Sequence, residues 1–205
     1  MADTTRTFIA VAVPEALTPR LARLRQNMAG EVPSARWAET PPHHVTLVFL
    51  GDVAHADLPE VCRVTAHVAA TFAPFELTLN GLGAFPDPVR PRVIWAGLGG
   101  EGVDDLQALQ AALAKAIGAV GYPGDNRPFR PHVTLAFMDA DKGRKGPRVS
   151  PPDLTTTLAR RKNWSAGPFL VNEATVFAST LTREGPSYDR IGRAPLKARK
   201  ARGES

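Results

Sequence analysis

The chain has a single cysteine, Cys62, in 205 residues. One thiol forms no internal disulfide and no CxxC metal clip, so a cystine scaffold and a zinc ribbon are both excluded. Cys62 falls in an apolar helical pattern, which predicts a plain buried thiol. No uninterrupted apolar run approaches the roughly 20 residues that cross a bilayer, and the opening MADTTRTFIAVAVPE has no basic flank ahead of a long apolar stretch. A cytoplasmic protein without a membrane segment is expected. The body of the chain also lacks a strong charge excess. Net charge is +5, but the last nine residues carry +3 and residues 139–162 carry +4, which leaves −2 for the rest. That distribution suits an anionic substrate or RNA meeting one face, and nearly as well a solvated loop and a frayed terminus.

What is present reads as a strand-rich chain with three main helices. RTFIAVAV is β-branched and apolar, a buried strand, and Pro14 opens a helix on which Leu17, Leu21, Leu24 and Met28 recur at helical spacing. SARWAE is a short extended piece and HHVTLVFL a strand closed by Gly51 and Asp52. DLPEVCRVTAHVAATF is a second helix with Leu58, Val61, Val64 or Thr65, and Val68 on one side. FELTLNGLGAF and PRVIWAGL form a hairpin around the turn-rich PDPVRP. A third helix carries Leu106, Leu109, Leu113, Ile117 and Val120, and RPHVTLAFM follows as a strand. The basic, proline-rich span after Asp139 holds one short helix at PDLTTTLARR, and GPFLVNEATVFAST and SYDRIGRAPL close the chain as strands.

Two helix-bearing halves, each with one HVTL strand, predict an α+β fold by internal duplication. The expected form is bilobal, with two antiparallel sheets flanking a central cleft and helices packed outside. Residues 1–196 make this one domain, with a basic insert at 139–162, and 197–205 form a disordered basic tail. A monomer is the default.

HVTL begins at His44 and again at His132. Side chains alternate along a strand, so His44 and Thr46 share one face, while Val45 and Leu47 share the other. His132 and Thr134 behave identically. Related by a pseudo-two-fold axis, the pairs would put two imidazoles and two hydroxyls around one small volume. That set suits phosphoryl transfer at an RNA 2′,3′ position without a metal. An imidazole titrates near pH 6.5, so one neutral and one protonated ring can serve as base and acid, and threonine hydroxyls can donate to phosphate oxygens.

Other readings compete. A histidine on one such strand is more often a hydrogen-bonded structural residue, and it is the matching second strand that favours a site. Metal ligation wants carboxylate or thiolate partners, and neither motif has a nearby Asp or Glu on the histidine face, so no metal or cofactor is expected. An RNA-binding module without catalysis, using the basic insert and tail, is a third class. His43 points away from His44, and Pro131 stands in its equivalent position, so it reads as a loop or edge residue. His55 and His67 read as surface histidines.

The two HVTL motifs resemble those of the 2H phosphoesterases, and in particular the LigT-like RNA 2′,3′-cyclic phosphodiesterases, also called 2′-5′ RNA ligases. FIAVAVPE, RWAETPPHHVTLVFLGDV, GLGAFPDPVRPRVIWAGL and FRPHVTLAF all fall where that family has similar text. The resemblance implies hydrolysis of a 2′,3′-cyclic phosphate on RNA ends or oligonucleotides to a 2′-phosphate. It gives His44 the role of proton donor to the departing 3′ oxygen and His132 that of activating water. Thr46 and Thr134 match phosphate-binding threonines. Phe49 matches an aromatic position that contacts the base, although a core phenylalanine fits equally, and strand parity puts it opposite His44 unless a bulge intervenes. Ligation of RNA ends through a 2′-5′ linkage is the related activity at the same site. The family commonly places a phosphate-binding arginine five residues after the second histidine, where this chain has Phe137. Arg130, Lys142 and Arg144 are the replacements available, and Arg130 comes first because it shares the face of His132.

Overall fold

In the computed structural model, residues 3–38, 42–124, 127–138, 152–182 and 185–198 are described. Their elements are β1 (Thr4–Ala12), α1 (Thr18–Ala29), β2 (Ala35–Trp37), β3 (His44–Ala54), α2 (Leu58–Ala69), β4 (Phe75–Phe85), β5 (Val93–Gly99), α3 (Val103–Ala119), β6 (His132–Met138), α4 (Thr155–Ala159), β7 (Ser165–Val171), β8 (Glu173–Thr182) and β9 (Gly185–Pro195). None of these helices is long and apolar enough to cross a membrane.

The helices follow their apolar spacing. α1 buries Leu21, Leu24 and Met28 and has a proline in its first turn, where the missing N–H costs nothing. α2 buries Val61, Thr65 and Ala69, and the Thr65 hydroxyl donates to the Val61 carbonyl one turn back. α3 buries Leu106, Leu109, Leu113 and Ile117, with Asp104 and Asp105 at its positive end. These residues join the inner faces of the strands in one large apolar core. The opposite face of the sheet holds only a small cluster of Phe8, Ala10 and Phe177. Among the described residues, no helix contributes to that second cluster.

The strands run β7-β4-β5-β6-β3-β1-β8-β9, all pairings antiparallel, with β2 added to β6. The sequence suggests two sheets; the structure joins them into one, through a single backbone pair, Val45 with Val133. On either side of that pair β3 and β6 part, which opens the central cleft between a β3-β1-β8-β9 half and a β6-β5-β4-β7 half. Duplication is visible in β1-α1-β3 and β5-α3-β6, each a strand, a helix and an HVTL strand.

GPFLVNEATVFAST, read as one strand, is two. Asn172 separates β7 from β8, and the segments go to opposite halves: β7 pairs with β4 and β8 with β1. Alternation alone does not reveal a change of partner in mid-run. The short helix in PDLTTTLARR forms as α4, and Arg160 and Arg161 beside it pair with Glu31. The rest of the basic insert, 139–151, and the tail from 199 lie outside the described residues, as do Lys142 and Arg144. Cys62 is half-buried against β9, with its thiol pushed up by burial.

Candidate active site

Two β-bulges build the site. Along β1 and β3 the register passes from Ala10–Thr46 to Ile9–Val48, so Leu47 is the extra residue. Leu47 and Val48 are consequently both buried, and Phe49 emerges on the face of His44 and Thr46. This overturns the parity that placed Phe49 opposite His44. The same event occurs in β6, where Trp95 pairs with Thr134 and Ile94 with Ala136, skipping Leu135. Leu135 and Ala136 are both buried, and Phe137 joins His132 and Thr134.

The Val45–Val133 pair sets the remaining geometry. In an antiparallel ladder the neighbours of a pair oppose one another crosswise, so His44 faces the Thr134 position and Thr46 the His132 position. Val45 and Val133 point into the core, both fully buried, and the four polar side chains point into the cleft.

Each imidazole is fixed in the same way. His44 Nδ1 is 2.9 Å from the Pro42 carbonyl, and His132 Nδ1 is 2.6 Å from the Arg130 carbonyl. A carbonyl only accepts, so Nδ1 carries hydrogen and Nε2 is the nitrogen left for chemistry. Around His44 stand Phe8 at 4.9 Å, Tyr188 edge-on at 5.0 Å and Phe177 at 5.9 Å between ring centroids. Around His132 stand Phe85, edge-on at 4.9 Å, and Trp95 at 6.4 Å. Burial among these rings holds both histidines below their ordinary pKa, opposed by the carbonyl bonds, and the charge of His132 lowers His44 further.

The cavity between the strands has a volume of about 380 Å³ and is lined by both histidines, both threonines, Phe49 and Phe137. That volume suits a nucleotide-sized ligand. Among the described residues no carboxylate lines it, and Arg6 of β1 is its one arginine. The guanidinium of Arg6 lies over the Phe49 ring at 4.9 Å, and that of Arg36 over the Phe137 ring at 5.1 Å. Arg130 is not part of this lining. Its guanidinium lies over Phe85 at 6.0 Å, because β6 begins at His132 and strand alternation does not extend back through Pro131. His43 is half-buried at the cavity edge, held through its carbonyl by the Val13 N–H at 2.8 Å. His55 bonds to the Thr5 hydroxyl at 2.7 Å and His67 is exposed, both remote from the cleft. Among the described residues, no cluster of three or more His, Cys, Asp or Glu is arranged to hold a metal. Reading the sequence alone missed Arg6, Phe8, Tyr188 and Ser179, which join the site through strand pairings distant in the chain.

Two opposed bases and two hydroxyls can bind an anionic phosphate and move protons on both sides of it. Comparison with known proteins agrees. The chain is 35% identical over 169 residues to the RNA 2′,3′-cyclic phosphodiesterase of Aeropyrum pernix, covering 82% of this chain and 90% of that one. A crystal structure from Thermus thermophilus superposes with a TM-score of 0.71 at 30% identity, covering 94% of this chain and 98% of that one. Escherichia coli LigT in complex with 3′-AMP gives 0.72 at 25% identity, over 96% and 100%. Residues 13–181 match the 2′-5′ RNA ligase superfamily, and with the duplicated fold and twin HVTL strands the conclusion follows that the chain belongs to this superfamily.

Proposed function

We propose that this protein is an RNA 2′,3′-cyclic phosphodiesterase that needs no metal, opening a terminal cyclic phosphate to a 2′-phosphate with His44 as acid and His132 as base. The observation that carries this reading is the matched pair of Nδ1–carbonyl bonds, which leaves one free Nε2 on each side of the inner end of the cleft. Neutral His132 takes a proton from water as the water oxygen bonds to phosphorus. The bond from phosphorus to the 3′ oxygen breaks, and His44, protonated on Nε2, makes that oxygen a hydroxyl. Thr46 and Thr134 donate to the nonbridging oxygens, where charge builds. Turnover leaves His44 neutral and His132 protonated, and exchange with solvent resets them.

The electrostatics favour a pair that holds a single proton. Each ring resists protonation through burial, and a proton on His132 discourages one on His44, so the pair takes up one proton more readily than two. An arriving phosphate raises both pKa values by its charge. The reading treats residues 1–196 as one bilobal domain acting as a cytoplasmic monomer on RNA ends, and a core that runs through both halves supports the single domain. The superfamily's ligase designation favours a second reading in which a 5′-hydroxyl replaces water at the same site and a 2′-5′ linkage results.

The test is turnover of a nucleoside 2′,3′-cyclic phosphate in excess EDTA. The 2′-phosphate should be the sole product, and His44→Ala and His132→Ala should each abolish its formation. Turnover surviving both substitutions would refute the site, a 3′-phosphate product would refute the assigned roles, and tight RNA binding without turnover would indicate a binding module.

A further inference from the structure

We propose that the outer end of the cavity is a second phosphate subsite, in which Arg6 and Ser179 hold the 5′-phosphate or phosphodiester of the nucleoside whose 2′,3′ phosphate lies between the histidines. The inference rests on the proposed reaction for the placement of that nucleoside, but its test requires no turnover.

The cavity is lopsided. The β6 half contributes His132, Thr134 and Phe137, and no described residue of β4, β5 or β7 lines it. On the other side it spreads across β3, β1, β8 and β9 as far as Leu181 and Pro186. A site for one phosphate alone would need only the inner end, where the histidines and threonines converge.

Strand register positions the outer group. Arg6 lies two residues along β1 from Phe8, on the same face, and the Phe8 ring touches that of His44. Two strand residues amount to about 7 Å, which separates the Arg6 backbone from that of Phe8, the residue whose ring meets His44. A ribose separates the 2′,3′ phosphate from the 5′ phosphate of the same nucleoside by a span of that order. Ser179 is the β8 residue paired with Arg6, and its side chain also lines the cavity. The pair thus offers a cation and a hydroxyl side by side.

Arg6 is also prepared for an anion. No ion pair to it forms among the described residues, and its guanidinium is laid on the Phe49 ring. Stacking fixes the plane of the guanidinium and leaves its N–H edge for a phosphate, which an ammonium would hold less specifically. Leu181, 86% exposed at the rim, provides an apolar surface beside it.

The experiment compares binding of adenosine 2′,5′-bisphosphate and adenosine 2′-monophosphate by calorimetry, in wild type, Arg6→Gln and Arg6→Lys. Wild type should bind the bisphosphate about tenfold tighter or more, the scale of one hydrogen bond to a charged group. Arg6→Gln should bring the ratio near one, and Arg6→Lys should retain part of it. Thermal unfolding of each variant separates lost recognition from lost structure, and Arg6→Lys carries the test if Arg6→Gln does not fold. No preference in wild type, or an undiminished preference in Arg6→Gln, would overturn the subsite. Failure of cyclic phosphate turnover with this preference intact would instead count against the proposed reaction.

Discussion

Val45 and Val133 form the one backbone pair between β3 and β6, and each is the residue immediately after a cleft histidine. The ladder link between the halves and the reactive groups are therefore adjacent in sequence on both strands. Two buried valines fix the pleat at this point, and the pleat fixes the direction of His44, Thr46, His132 and Thr134.

The carbonyl bonds predict the tautomer. At a pH where both rings are neutral, nitrogen-15 NMR should show His44 and His132 as Nδ1–H imidazoles. An Nε2–H tautomer in either ring would remove the proposed base or reverse its orientation.

The pH profile should be displaced toward acid. The base must be neutral, so rate falls as pH drops below its pKa; the acid must be protonated, so rate falls as pH rises above its own. Both histidines are held below about 6.5 in the free protein, so the maximum of kcat/KM should lie on the acid side of that value. Bound phosphate raises both groups, and kcat should peak at higher pH than kcat/KM. A kcat/KM maximum above pH 7 would contradict the assignment.

Stability should carry the same signature. His43, His44 and His132 are all lowered on folding, so the unfolded chain binds protons that the folded one resists. Their stabilising effect is complete above about pH 6.5 and is lost as pH falls through the folded values. Each group changes the unfolding free energy by at most about 1.4 kcal/mol per pH unit. Denaturant titrations between pH 7.5 and about 5 should show this decline, and it should become shallower in a His44→Gln, His132→Gln double variant; an equal slope would show that other groups dominate.

Gly83 should prove necessary to the wall behind His132. A Cβ at this position would stand 2.1 Å from Trp95 Cζ2, far inside contact distance, and Trp95 packs beside Phe85 and His132. Gly83→Ala should cost about 1–3 kcal/mol by overpacking. It should also move the His132 pKa toward its ordinary value as water enters. Gly30→Ala, where a Cβ meets nothing within 4 Å, is the control and should be nearly silent. The check is thermal unfolding together with an NMR titration of His132.

The helices and both HVTL strands were legible because their patterns are local: leucines at three- and four-residue spacing, and histidine alternating with threonine. The bulges had a faint sign in LeuVal after HisValThr and LeuAla after its repeat, two successive apolar residues where strict alternation allows one inside. Period-two reasoning passes over that sign and so misdirected Phe49. Arg130 stands outside the cavity lining for a related reason, since the strand begins at His132 and alternation does not reach back past it. Arg6, Phe8 and Tyr188 gave no signal at all. Alternation says that Arg6 and Phe8 share a face, but only the pairing of β1 with β3 and β8 tells which face borders the cleft.

The break at Asn172 bears on the order in which the molecule comes into being. β1 and β3 are made before the strands that complete their half, β8 and β9. Phe177 and Tyr188, two of the three rings around His44, arrive with them. A nascent chain carries both histidines before Phe177 and Tyr188 are added, with His44 still open to water on one side. The environment that prepares that ring for proton transfer is finished only once β8 and β9 have joined β1.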